Sequence, residues 1–162
     1  MSILGVVLST LRNKTQASEL KRNDSGISMI NHKFPYIVKR DEFAYARHNL
    51  VDAELVMFGA GYDWTSSHRS GSRFAPAAIR KESYWGMEEY SPYFEEELSS
   101  LPLHDLGDIE FLSGNKEDSL NRIRSTVKEL SDQNKIPFMI GGEHLVSFPA
   151  IEVLSQKYPE LK

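Results

Sequence analysis

From about Glu54 onward, short apolar runs alternate with stretches in which apolar residues recur every three or four positions. That alternation is the signature of a parallel α/β sheet, each strand being followed by a helix that covers it. Leu55 to Ala60 (LVMFGA) is a continuous apolar run ended by Gly61, and it predicts a strand covered on both faces. Pro76 stands where a helix begins, because its ring presets the helical φ and a first-turn residue needs no amide hydrogen; Ala77 to Arg80 continue that helix. Leu101 to Leu106 (LPLHDL) predicts a second strand, weakened by Pro102 and stopped by Gly107 and Asp108. Leu120, Ile123, Val127 and Leu130 then mark one apolar face of a helix capped by Asn115. Glu117 and Asp118 in its first turn, and Lys135 beyond its end, are placed as the helix dipole prefers. Ile136 to Ile140 (IPFMI) predicts a third strand without alternation, ended by Gly141 and Gly142. Ser147 is placed to cap a last helix carrying Ile151, Leu154 and Tyr158, which Pro159 terminates.

The chain before Glu54 reads differently. Met1 to Leu11 is apolar but well short of the ~20 residues a membrane span needs, and it lacks the basic start and small-residue cleavage site of a secretory signal. Asn13 to Ser28 is polar and carries Gly26. Residues 1–33 are therefore expected to form a flexible or weakly ordered leader, and residues 34–162 a single domain.

Composition narrows the function. A chain of 162 residues that is 40% hydrophobic and 26% charged belongs with soluble globular proteins. Nineteen basic residues against 23 acidic ones, with no basic stripe, exclude nucleic acid as the main partner. No membrane anchor is visible. Cysteine is absent, which removes disulfides, thiolate nucleophiles and cysteine-based zinc sites and fits a cytoplasmic location.

Three segments carry candidate chemistry. Gly59-Ala60-Gly61 follows a strand, but the third glycine of a dinucleotide fingerprint is replaced by Trp64 and no helix follows directly. Gly141-Gly142-Glu143-His144 ends a strand, the place where parallel sheets collect ligands. Two glycines let the backbone turn sharply there. His144 offers an imidazole nitrogen to a metal, and Glu143 is placed to orient it or a neighbour. Taken alone, one histidine is more often a packed structural residue than a ligand, and no second histidine or carboxylate stands close by at ligand spacing. The third segment, Gly61 to Arg80, reads as a polar loop leading into the helix at Pro76.

Taken together these segments resemble the signatures of the ureohydrolase family, the agmatinases and arginases. Gly59, Asp63, Ser67, Arg69, Gly71, Arg73, Pro76, Ala78, Ile79 and Arg80 match its long loop-and-helix pattern. Asp105-Leu106-Gly107-Asp108 is similar to its "D-x-G-D" strand end, and Pro137 to His144 to its "P-x-x-x-G-G-[DE]-H" segment. The three motifs fall in the family's order over about residues 34–162, and Phe34-Pro35 with Gly-Gly-Glu-His points to the agmatinase branch. The resemblance implies a three-layer α/β/α fold with a parallel sheet, arginase-like, present here as an incomplete N-terminal portion. It implies two manganese ions at the strand ends, with His144 as the one matching ligand. It also implies a small guanidinium substrate such as agmatine, from which an activated water releases urea. The family's remaining ligands lie in Asp-x-His-x-Asp and Asp-x-Asp segments that do not occur here, so this chain by itself is expected to be inactive.

Gly61 and Ser70 stand where the family has proline, and losing a fixed φ at both is expected to loosen the loop. The strand at Ile136 is expected to present an unpaired apolar edge that recruits other chains, giving a homo-oligomer or a partner-covered form. Two readings stay open: an agmatinase-like hydrolase represented by its N-terminal half, and a non-catalytic truncated relic or partner-binding protein.

Overall fold

The central strand is β2, Leu55–Ala60, and all but its first residue are buried. It lies between β5, Leu103–Ile109, and β6, Ile136–Gly141, and runs parallel to both. A two-residue strand, β1 (Ile37–Val38), pairs antiparallel with β5, so the four-stranded sheet is ordered β1-β5-β2-β6. A separate hairpin joins β3, Tyr90–Ser91, to β4, Glu96–Glu97. These features belong to a computed structural model that describes residues 33–160. All of the expected leader except Lys33 lies outside the described residues.

Successive residues of a strand point to opposite faces, and β2 shows what covers each. Val56, Phe58 and Ala60 pack with Ile123, Val127 and Leu130 of α2, Lys116–Asp132. The third helix, α3 (Ser147–Lys157), lies against α2 on that side and adds Ala150, Val153 and Leu154. Met57 faces the other way, into a smaller cluster with Phe43, Ala46 and Leu103. Helix α1, Ala75–Trp85, covers this second face and brings the Pro76 side chain over Gly59. The result is helix, sheet, helix: the expected three-layer α/β arrangement with a mostly parallel sheet, present in part. Among the described residues no helix is long and apolar enough to cross a membrane.

Most predicted elements stand where the hydrophobic pattern put them, and the differences have local causes. The second strand starts at Leu103 and continues through Gly107 and Asp108 to Ile109 instead of stopping before them. Gly107 takes φ +106°, and a Cβ there would lie 2.7 Å from the Val38 carbonyl oxygen. Glycine thus bends the strand and shifts its register against β2 without ending it. Asn115 caps α2 as expected, its Oδ1 accepting from the Asp118 amide at 3.0 Å. Ser147 does not cap α3. The helix continues out of a tight turn at His144–Val146, and no side chain closes its first turn. Lys135 serves the Val51 and Ala53 carbonyls (2.9 and 2.5 Å), while Lys157 donates to the Ser131 carbonyl at the end of α2. Finally, β6 is only half-buried along its length, with Phe138 47% exposed, because it forms one border of the sheet.

Candidate functional site at the carboxyl ends of the strands

Parallel pairing brings the ends of β2, β5 and β6 to the same side of the sheet, and the motif residues gather there. The largest fully buried side chain is Arg80, projected from α1. Its Nε and Nη2 donate to the two oxygens of Asp105 at 2.7 and 2.9 Å, and its Nη1 donates to Asp108 Oδ1 at 2.6 Å. Asp105 also accepts the Phe43 and Gly107 amides (2.8 and 3.0 Å), so a fully buried carboxylate has every oxygen engaged. Burial alone would push the Arg80 guanidinium down; its bonds to Asp105 and Asp108 instead hold it well above its ordinary value. A paired, hydrogen-bonded charge of this kind is stable in the interior, whereas either partner alone would not be.

The Gly59-Ala60-Gly61 segment belongs to this packing. A Cβ at Gly59 would come 1.8 Å from Asp108 Oδ1 and 2.8 Å from the Pro76 side chain, so the glycine admits α1 and β5. That close packing is the reason for a glycine inside β2 at this point.

Two carboxylates organise the loop that follows. Asp63 is buried and accepts from the Gly71 amide at 2.6 Å, the Arg73 amide at 3.2 Å and Arg73 Nη1 at 2.9 Å. Burial raises its pKa, but the two amides and the guanidinium outweigh that and hold it below the usual carboxylate value. Glu143, from the end of β6, accepts from the Thr65 amide at 3.0 Å, the Ser66 hydroxyl at 3.2 Å and the Thr65 hydroxyl. The loop expected to be loosened at Gly61 and Ser70 is therefore tied at both ends by acidic side chains. The loop tip, Ser67 to Ser70, is exposed.

His144 opens the turn after β6 and is exposed. Its ring makes no hydrogen bond among the described residues, so either nitrogen, according to the tautomer, can offer its lone pair to a metal. The acidic groups around it are differently employed: Asp63 and Glu143 hold the loop, and Asp105 and Asp108 hold Arg80. Among the described residues no group of three or more histidine or acidic side chains could enclose an ion. The donor set therefore fits one position of a metal site and not a whole one, and no chemical step through a metal follows from it.

Motif spacing singled out Asp63 and Arg80 in the loop-and-helix pattern and Asp105 and Asp108 in the strand-end pattern, without assigning them contacts. The pairing of Glu143 with Thr65 and Ser66 was missed. Its only sequence signal is an acidic residue beside His144 and a hydroxyl pair after Trp64, and these lie 78 positions apart.

Comparison with known proteins points to the same family as the motif resemblance. The family model described as "Arginase family" matches residues 53–162. The chain is 44% identical over 119 residues to an agmatinase of Bacillus anthracis, a match covering 74% of this chain and 41% of that protein. It superposes on the crystal structure of agmatine ureohydrolase of Thermoplasma volcanium with a TM-score of 0.65 at 32% identity, covering 75% of this chain and 41% of the other. A Trypanosoma cruzi formiminoglutamase variant, crystallised with Mn2+, gives a TM-score of 0.62 at 26% identity over 71% and 39% of the two chains. The chain thus spans about two fifths of the length of the relatives it matches. With the helix–sheet–helix layers, the Arg80 network and the strand-end turn in place, the matched residues show that this chain belongs to the arginase family.

Proposed function

We propose that this chain carries part of the site of a manganese-dependent agmatinase, which hydrolyses the guanidinium group of agmatine to putrescine and urea. The observation that carries the reading is the 44% identity to an agmatinase over 119 residues, with an exposed His144 in the turn after β6 and inside the family-model match. In that reaction the oxygen of water bonds to the guanidinium carbon. The bond from that carbon to the substituted nitrogen breaks, and the amine leaves with a proton. Two divalent ions, when bound, supply a water acidic enough to act near neutral pH. His144 would hold one of them as a neutral imidazole, the ligand form that suits manganese together with carboxylates. The chain's own part is to seat that imidazole: the Arg80 network fixes β5 against α1, and the two-carboxylate loop backs the turn. A cytoplasmic homo-oligomer is the setting this reading carries with it.

A second reading, a non-catalytic partner-binding role, is favoured by the employment of Asp63, Asp105 and Glu143 in structural bonds rather than as open donors. One experiment separates the two. Manganese and agmatine are supplied to the 162-residue chain and to a version extended by the rest of an agmatinase sequence, each with and without His144→Ala. The expected result is no urea from the chain by itself, since one imidazole does not hold two ions. The extended protein should release urea and lose most manganese and activity with His144→Ala. Wild-type metal content in that variant would end the assignment of His144.

A further inference from the structure

The turn that carries His144 and the loop after β2 are far apart in sequence, yet the structure builds them as one piece. The Gly142 amide donates to the Ala60 carbonyl at 3.0 Å, and the Glu143 amide to the Tyr62 carbonyl at 2.8 Å. A Cβ at Gly142 would come 2.1 Å from that Tyr62 oxygen, so the two backbones touch with no room for a side chain between them. The Glu143 side chain then reaches across: Oε2 accepts the Thr65 amide at 3.0 Å and the Ser66 hydroxyl at 3.2 Å, and Oε1 accepts the Thr65 hydroxyl. A carboxylate is acceptor-only, which suits an amide and two hydroxyls converging on it. Beyond Ser66, the exposed tip from Ser67 to Ser70 makes no side-chain hydrogen bond among the described residues until Asp63 gathers the chain again at Gly71 and Arg73.

We propose that Glu143 is a positioning residue whose carboxylate holds the Thr65–Ser66 loop against the turn bearing His144, and does not orient the imidazole itself. The loop contact stands on this geometry; its consequence for the site rests on reading His144 as a metal ligand. Glutamine at 143 keeps the reach and one strong acceptor, and its amide hydrogens can be taken by the two hydroxyls. Alanine removes the contact altogether. The two variants should therefore separate.

Amide hydrogen exchange of the full chain tests this without any activity. In Glu143→Ala the Thr65 amide should exchange about tenfold faster or more, the loss expected for one hydrogen bond to a charged acceptor. Glu143→Gln should restore most of the protection. The Gly71 and Arg73 amides, held by Asp63, should not change in either. Protection of Thr65 that survives Glu143→Ala overturns the proposal, as does equal loosening of Gly71 and Arg73, which would make the effect global. If Glu143→Ala does not fold, the double variant Thr65→Val with Ser66→Ala decides instead: it removes both hydroxyl donors, and unchanged exchange of the position 65 amide overturns the clamp. His144→Ala is read alongside in the extended protein with manganese alone. Retained manganese there defeats the metal reading, while the Thr65 amide in Glu143→Ala still decides the clamp.

Discussion

Arg80 and Asp63 solve the same problem in opposite surroundings. Arg80 is a buried cation whose neighbours are two carboxylates, so Arg80→Ala would leave Asp105 charged, fully buried and without its main partner. Breaking a buried pair from one side costs about 3–5 kcal/mol, and chemical denaturation of Arg80→Ala against wild type should read a loss of that order. Asp63 is a buried anion facing amides and the half-exposed guanidinium of Arg73. Its folded pKa lies below its unfolded value, so it contributes stability that is fully present above the usual carboxylate range. That contribution disappears as pH falls through the lowered folded value. Protection of the Gly71 and Arg73 amides, relative to the intrinsic exchange rate at each pH, should therefore hold from neutral pH down to about pH 4 and fall below it; protection already lost near pH 6 would contradict the assignment. These residue-scale roles were only half legible in the sequence. The motif spacing singled out the positions, but a pattern of letters does not say which carboxylate meets which guanidinium, because the partners approach only after β5 and α1 pack.

Elements are where local rules predicted best, and α2 shows why. Its apolar residues recur at helical spacing, its first turn is acidic, and Asn115 accepts from the Asp118 amide. All three signals are short-range, so they act before any tertiary contact exists. Asn115→Ala should cost about 1 kcal/mol, the usual worth of a side-chain cap, measurable as a lowered thermal midpoint with the fold's other contacts unchanged. The elements that departed from expectation did so through non-local contacts. Gly107, read as a stop, became a bend inside β5 because β1 crosses it and leaves no space for a side chain. Ser147, read as a cap, is simply the first helical residue after the His144–Val146 turn, which already delivers the chain in helical geometry.

At the scale of the whole molecule the open feature is β6. Its inner edge pairs with β2, while its outer edge has no partner strand among the described residues, and Phe138 is 47% exposed. An apolar border strand with free backbone groups recruits other strands. Pro137, which has no amide hydrogen, is tolerated on such a border and only partly blunts it. The 162-residue chain should therefore self-associate, and Phe138→Lys, which places a charge on that strand, should lower the scattering mass at equal concentration. A monodisperse monomer with a sharp, reversible unfolding transition for the unaltered chain would show that the border is covered by some other means.

The sequence by itself determined the family resemblance, the order of the three parallel strands and three helices, the helix faces and the cap at Asn115, but not the short strands β1, β3 and β4. Each of these depends on residue type and on spacing within a few turns of chain, which is where propensity, periodicity and capping act. Tertiary structure decided the rest: the bend at Gly107, the burial of Arg80 between Asp105 and Asp108, and the grip of Glu143 on Thr65 and Ser66. Those contacts join residues 25 to 78 positions apart. Only the closing of the parallel sheet, with α1 laid across it, brings such groups within hydrogen-bond distance, and no local rule encodes that approach.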